Sequence, residues 1–301
     1  MNVLEARGLE VVRAGPRTTV QDTGRAGSAH LGVPRSGALD PQSLALANRL
    51  VGNPPDAAGL EITLGGCALR ATGRGVTIAV TGAQTTVTVD GRPVDWGGPV
   101  GLRPGQCVAV GASVDGVRCY LAVGGGIAVA PVLGSRSTDT LSGLGPPALA
   151  DGTRLPVGPA TPGSVAAAGV DIALWSPAPD PLVLRVRLGP RADWFTPEAL
   201  GVLTSATWLI SASTDRVGAR LDGPALQRAV TRELPSEGVG LGSVQVPADG
   251  HPLVFLADHP TTGGYPVVAV VDRTDLPPLA QARPGTRVRL TTSHHRGSRA
   301  R

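Results

Sequence analysis

Apolar runs in this chain are short, and glycine, proline or a polar cluster ends nearly every one. The 42 glycines and 28 prolines are spread along the 301 residues rather than gathered in one tract. Short aliphatic runs between frequent turn residues predict many strands joined by turns, not disorder. A chain of 301 residues, 42% hydrophobic and 17% charged, has the material for a sizeable core in one large or two medium domains. Its basic residues are all arginine. Without lysine there is no Walker A phosphate loop, no Schiff-base lysine and no biotinyl-lysine carrier site. The net charge is +4, and no basic stripe interleaved with aromatics points to nucleic acid. Cys67, Cys107 and Cys119 are odd in number and share no CxxC spacing, which argues against structural zinc, any other metal centre and a disulfide framework. The start MNVLEARGLEVV lacks a basic segment followed by an apolar one, and no apolar run reaches the ~18 residues of a membrane span. A soluble cytoplasmic protein with no membrane association is expected.

Along the chain, residues 9–12 predict a first strand. Asp40 is a good N-cap with Pro41 at the first helical position, and the helix runs to about Val51 with Gly52 as a left-handed cap. Leu44, Leu46, Ala47, Leu50 and Val51 cover most of its circumference, so a buried helix is expected. Residues 76–80, 85–89, 106–110 and 117–123 read as four strands, with turns at Asp90-Gly91 and at Arg103-Pro104-Gly105. Gly124-Gly125-Gly126 looks like a dinucleotide loop, but no helical pattern follows it. Residues 160–181, rich in Ala, Gly and Pro, read as a connector. The expected division is therefore 1–180, 181–292 and a flexible basic tail at 293–301. In the second part, LVLRVRL at 182–188 alternates as a half-exposed strand, Thr196-Pro197 opens a helix, and 208–211 and 243–246 are strands. Arg283-Pro284-Gly285 before 288–290 echoes Arg103-Pro104-Gly105 before 108–110, a hint of two similar β units.

The densest chemistry lies at LVFLADHPTTGGYP, residues 253–266. An apolar strand ends in Asp258, His259, Thr261 and Thr262. Gly263 and Gly264 then allow close approach, Tyr265-Pro266 closes the turn, and 267–271 returns as a second strand. A plain hairpin needs one turn pair. This one carries a carboxylate, an imidazole, two hydroxyls and a phenol, which suits the polar mouth of a β-barrel as well as a capped loop.

Longer motifs add a resemblance. TTVQDTGR (18–25), HLGVPRSGALD (30–40), ANRLVGNP (47–54) and LEITLGG (60–66) resemble the N-terminal signature of the family of 5-oxoprolinase C subunits. That family is similar to the second subunit of allophanate hydrolase and to one part of the carboxyltransferase region of urea amidolyase. The likeness continues through VLGSRST (132–138), TDRVGARLDGPAL (214–226), SEGVGLGSVQVP (236–247) and TTGGYP (261–266). In one place the chain departs from it. Where the family carries Phe-Gly-Gly after Ser137-Thr138, this chain reads Ser142-Gly143-Leu144-Gly145-Pro146-Pro147.

The resemblance implies a mainly β protein of two cyclophilin-like β-barrel subdomains with a few short helices. It implies two partners, a KipI-like B subunit and, with it, an A subunit. Together they would cleave 5-oxo-L-proline to L-glutamate, with ATP and Mg in the assembled enzyme and no covalently bound cofactor. An unreactive ring amide would be activated by phosphorylation and then opened by water, which needs cationic or N–H donors, a base and donors for the substrate carboxylate. His30, Glu237 and Arg216 on the matched motifs, with Asp258 just before the last of those motifs, are the catalytic candidates, a backbone-capping carboxylate being the other reading of Glu237 and Asp258. Gln21, Arg25, Asn48, Arg136, Ser137, Gln245, Thr261, Thr262, Gly263, Gly264 and Tyr265 are the substrate-binding candidates. Glu61 is a candidate buried partner for one of the arginines, and no residue reads as a covalent nucleophile. Arg216 sits in a loop that precedes no long apolar run, so Arg216→Ala is expected to spare the fold. Other implied roles are a transferase component accepting carboxyl from a biotin carried elsewhere, or a non-catalytic regulatory partner of a KipI-like protein.

Overall fold

The computed structural model describes residues 7–160, 173 and 179–292, so most of the expected connector and the whole expected tail lie outside the described residues. The chain divides into two compact units, Met1–Ala178 and Pro179–Arg301. Both are built mainly of strands.

The first unit contains β1 (Gly8–Arg13), β2 (Arg17–Gln21), α1 (Pro41–Leu50), β3 (Gly59–Thr63), β4 (Ala68–Thr72), β5 (Val76–Val89), β6 (Arg92–Val94), β7 (Pro99–Leu102), β8 (Cys107–Val123) and β9 (Arg154–Pro156). One curled sheet holds them in the order β2-β3-β8-β4-β1-β9, and β5 pairs with β6, β7 and β8. The four strands expected over 76–123 are two long ones. β5 lies along β8 from Ile78–Val123 to Val89–Val108, with register shifts between Gly82 and Val87. Gly82 has φ +82° and a Cβ there would stand 3.0 Å from the Tyr120 ring, so the bend is one that only glycine makes cheaply. The glycines that look like turns in the sequence therefore bend a continuous strand. Leu9, Val11, Leu60, Ile62, Leu69, Ile78, Val108 and Leu121 fill the core inside the curl.

α1 starts as expected, with the Asp40 carboxylate accepting from Ser43 N at 3.1 Å, and Gly52 follows it at φ +74°. Its apolar face is buried, with Ala47, Leu50 and Val51 packed on Ala79 and Ala122, while Pro41, Gln42 and Arg49 are exposed. The Asp90-Gly91 turn has positive φ at both residues, +50° and +78°, the backbone of a tight two-residue hairpin.

The second unit contains β10 (Leu182–Leu188), α2 (Pro197–Ser205), β11 (Trp208–Ile210), β12 (Gly218–Asp222), β13 (Glu237–Gly238), β14 (Ser243–Gln245), β15 (Leu253–Phe255), β16 (Thr262–Gly263), β17 (Val267–Val271), α3 (Leu276–Gln281) and β18 (Arg287–Thr292). Seven strands close a barrel in the order β10-β17-β14-β15-β12-β11-β18. β10 alternates as its sequence predicts, with Leu182, Leu184 and Val186 buried and Val183, Arg185 and Arg187 exposed. Thr196 caps α2 by accepting from Ala199 N at 3.1 Å.

β15 and β17 do not form the expected hairpin. Both pair antiparallel with β14, which lies between them, so they run parallel to each other. Parallel neighbours cannot be joined by a tight turn. The intervening residues instead cross β14 as a second layer, where Thr262–Gly263 pairs with Glu237–Gly238. The two Arg-Pro-Gly segments do adopt one turn. Gly105 N donates to Ala71 O and Gly285 N to Ile210 O, both at 2.8 Å, and the two glycines have φ +83° and +84°.

Candidate functional site

At the end of β2 in the first unit, Asp22 ties two loops together. Its carboxylate accepts from Gly24 N (2.8 Å), the Ser135 hydroxyl (2.6 Å), the Ser137 hydroxyl (2.5 Å) and Arg136 N (2.6 Å). Burial by itself would raise its pKa, but the Ser135 and Ser137 hydroxyls and the two backbone N–H groups together hold it below the ordinary carboxylate value. Asp22 is thereby saturated. Arg25, next along the loop, is 2% exposed and reaches backbone carbonyls, Nε to Val132 O at 3.2 Å and Nη2 to Ser137 O. Gln21 is fully buried, its Nε2 donating to Thr138 O at 2.9 Å and to the Thr19 hydroxyl at 3.0 Å. Gln21, Arg25, Arg136 and Ser137 thus lie in one loop cluster around Asp22.

Three other residues of the first unit stand apart from that cluster. Asn48 is buried on α1, donating to Ala57 O at 2.7 Å and accepting from Asn53 Nδ2 at 3.0 Å, so its amide holds backbone and neighbour. His30 is exposed on a 3-10 turn (Ala29–Leu31), its Nδ1 2.9 Å from Gly27 O. Glu61 is buried as expected, 3.6 Å from the Arg118 guanidinium. It also accepts from Leu39 N at 3.0 Å and from the Tyr120 hydroxyl at 2.8 Å, and that hydroxyl accepts from Asp40 N at 2.8 Å. Burial pushes the Tyr120 pKa well above its ordinary value, with the Glu61 and Asp40 charges adding to the rise. The phenol therefore stays protonated and pins the start of α1.

In the second unit the candidates fall at two ends of β15. Past the Gly218–Phe255 end, Arg216 and Asp258 form a bidentate pair, Nε–Oδ2 and Nη2–Oδ1 both 2.8 Å. Their side chains are 2% and 0% exposed. A group held this way has lost the freedom that the expectation for Arg216→Ala assumed: its loop precedes no long apolar run, but its guanidinium holds a buried charge. His259 beside them is 8% exposed, its ring tilted against Phe255 with centres 5.9 Å apart and its Nδ1 2.6 Å from Pro260 O.

At the other end, where Gln245 pairs with Leu253, the β13–β16 ribbon covers Gln245, which is 3% exposed. Gln245 Nε2 donates to Tyr265 O at 2.8 Å, and a Cβ on Gly263 would stand 2.6 Å from that nitrogen. Gly264 has room: its nearest neighbour would be Leu234 O at 3.5 Å. Thr262, Gly264 and Tyr265 are exposed and Thr261 is half-buried. Glu237 on β13 accepts from Arg191 at 3.0 and 2.7 Å, both on Oε2, while its buried Oε1 has no hydrogen-bond partner among the described residues. Arg228 donates to Val246 O at 2.5 Å and lies 5.9 Å from the Tyr265 ring centre. Arg191, Arg228 and Tyr120 escape sequence reasoning. Arg191 follows a strand as one arginine among many, and only the barrel register brings it to Glu237. Burial pushes the Cys67 and Cys119 thiols up to about 11, so neither supplies a thiolate at neutral pH.

The chain thus has two β units, one a closed barrel and one a curled sheet, with arginines and carboxylates in the loops at their strand ends. The chain belongs to the carboxyltransferase domain family, whose model of subdomains A and B matches residues 31–292. It is 40% identical to the 5-oxoprolinase C subunit of Escherichia coli K12 over 276 residues, 91% of this chain and 87% of that protein. It is 31% identical to the urea amidolyase of Saccharomyces cerevisiae, covering 98% of this chain but 17% of that protein. Among solved structures, TTHA0988 superposes with a TM-score of 0.84 at 37% identity, over 95% of this chain and 56% of the TTHA0988 chain. The Kluyveromyces lactis urea carboxylase superposes with a TM-score of 0.85 at 28% identity, over 96% of this chain and 28% of that one.

Proposed function

We propose that this chain is the C subunit of an ATP-dependent 5-oxoprolinase, and that it works with a KipI-like B subunit, together with an A subunit, to open 5-oxo-L-proline to L-glutamate. The observation that carries the reading is the 40% identity to the E. coli protein over nearly the full length of both. Within it, Glu237 is the base. Its Oε2 is fixed by Arg191, and a buried carboxylate oxygen with no other partner is suited to take a proton from the water that opens the ring. Thr262, Gly264 and Tyr265 present the neighbouring surface to substrate or partner.

No Walker A phosphate loop is available to hold ATP in this chain. The chain holds no lysine, and Gly124–Gly126 runs into a bridge between Ile127 and Val157 rather than a helix. Among the described residues no group of three or more His, Cys, Asp or Glu could hold a metal. In this reading the chain supplies the base and the substrate-binding groups. No helix among the described residues is long and apolar enough to cross a membrane.

A second reading, a carboxyltransferase component for urea or a related amide, is favoured by the 31% identity to urea amidolyase. One experiment separates the two. Purified chain is mixed with the A and B subunits, and phosphate release is followed with 5-oxoproline. Turnover that needs all three proteins is expected. Activity from the chain alone, or turnover with urea and a carboxybiotin donor but none with 5-oxoproline, overturns the proposal.

A further inference from the structure

We infer that the loop cluster at the end of β2 is an anion-binding site with Arg25 at its buried end and Arg136 at its entrance. It takes a carboxylate or phosphate group of a small molecule. Arg25 is 2% exposed, yet among the described residues no carboxylate lies within ion-pair reach of it, and its Nη1 has no hydrogen-bond partner. Nε and Nη2 are held by the carbonyls of Val132 and Ser137, which orient the guanidinium but leave its charge uncompensated. A buried cation is ordinarily found beside an anion, because desolvating it alone is unfavourable.

The nearby acids are otherwise engaged. Asp22 has its four donors, and Asp139 accepts from Leu141 N and from the Ser142 N–H and hydroxyl. Two further arginines of these loops also meet carbonyls rather than acids. Half-buried Arg136 donates from Nε to Val129 O at 2.7 Å, and exposed Arg35 to Thr23 O at 3.2 Å. Gly145 closes the cluster with bare backbone, since a Cβ there would stand 2.8 Å from Arg25 Nη2. Two other buried polar atoms in the same loops, Gln21 Oε1 and Thr138 Oγ1, are also without partners among the described residues. Donors and acceptors together suit an anion that carries an amide or hydroxyl as well. Arg216 offers the contrast: the same residue type, equally buried, is neutralised by Asp258.

Arg25 Nη1, without a partner among the described residues, offers a charged donor to an oxyanion, and both carboxylate and phosphate present one. If the proposed function holds, the two sources are the carboxylate of 5-oxoproline and a phosphate. Binding by the purified full chain is measured by isothermal titration calorimetry with 5-oxoproline, with 2-pyrrolidinone, which keeps the ring amide but has no carboxylate, and with inorganic phosphate. Binding of 5-oxoproline or phosphate, with no binding of 2-pyrrolidinone, is expected. The tighter of the two anions identifies the source. Arg136→Gln should weaken it on the order of 10- to 100-fold, the effect of losing a charged hydrogen bond. Arg25→Lys, which keeps the charge but not the guanidinium geometry, should weaken it as well, with the melting curve showing that the variant is folded. Overturning results are no binding of either anion, equal binding of 2-pyrrolidinone, or wild-type affinity in both variants. These measurements involve no partner and no turnover, so their failure leaves the 5-oxoprolinase assay to stand or fall separately.

Discussion

Replacing Arg216 by alanine tests the clearest physical commitment in the second unit. The Arg216–Asp258 pair is bidentate at 2.8 Å, with side chains 2% and 0% exposed. Removing the guanidinium leaves a carboxylate inside the protein with its charge uncompensated. Breaking one side of a buried pair costs about 3–5 kcal/mol. A domain of this size loses roughly 3–5 °C of melting temperature per kcal/mol. Arg216→Ala should therefore melt on the order of 10–20 °C below the parent. The double variant Arg216→Met with Asp258→Leu removes both charges and keeps volume, and should recover most of that loss, since well-packed apolar replacements of buried pairs are close to neutral. The assay is thermal unfolding by circular dichroism on the parent, both single variants and the double, which closes a mutant cycle. If Arg216→Ala melts within about 3 °C of the parent and turnover of the assembled enzyme vanishes, the pair is not structural. Arg216 would then return to the catalytic role its motif suggests.

Two further outcomes follow from particular contacts. Gly263→Ala should lower melting temperature and activity together, because its methyl would meet Gln245 Nε2 at 2.6 Å and displace a buried amide from Tyr265 O, a loss of about 1–3 kcal/mol. Gly264→Ala meets ordinary contact at 3.5 Å and should change stability by about 0.5 kcal/mol or less while lowering activity of the assembled complex several-fold. Full activity in Gly264→Ala would remove the ribbon from the site. The Asp22 carboxylate titrates below its ordinary 3.8 in the folded protein. Its contribution to stability is therefore complete above about pH 4 and is lost as pH falls through the lowered folded value. Urea midpoints measured from about pH 6 down to pH 2 should fall less steeply below pH 4 in Asp22→Asn than in the parent, and parallel curves would contradict the saturated geometry.

Local signals in this sequence carry a good part of the fold. The Asp40 and Thr196 caps, each followed by proline, place two helices within a residue or so, because capping involves groups three residues apart. The alternation of LVLRVRL settles which side of β10 faces the barrel interior. Asp90-Gly91 forces a tight turn because both residues need positive φ. The matched motifs mark Gln21, Arg25, Arg136 and Ser137 as separate binding candidates, and the sequence offers Asp22 as an ion-pair partner for an arginine, but only the structure shows its carboxylate tying those loops together through hydroxyls and N–H groups.

What the tertiary structure alone decided is who meets whom across long sequence distances. Residues 253–256 and 267–271 look like two halves of a hairpin, and barrel closure puts β14 between them. The register that does so also lays Thr262–Gly263 against Glu237–Gly238 and brings Arg191 to Glu237. Arg216 and Arg25 read alike in sequence, each in a polar loop with an aspartate near. Chain adjacency pairs neither of them with that near aspartate. Arg216 finds Asp258 from 42 residues away, and Arg25 is folded against carbonyls. An ion pair depends on where two strand ends arrive in space, and that is set by sheet register and closure, which sum over the whole chain rather than over any window of it.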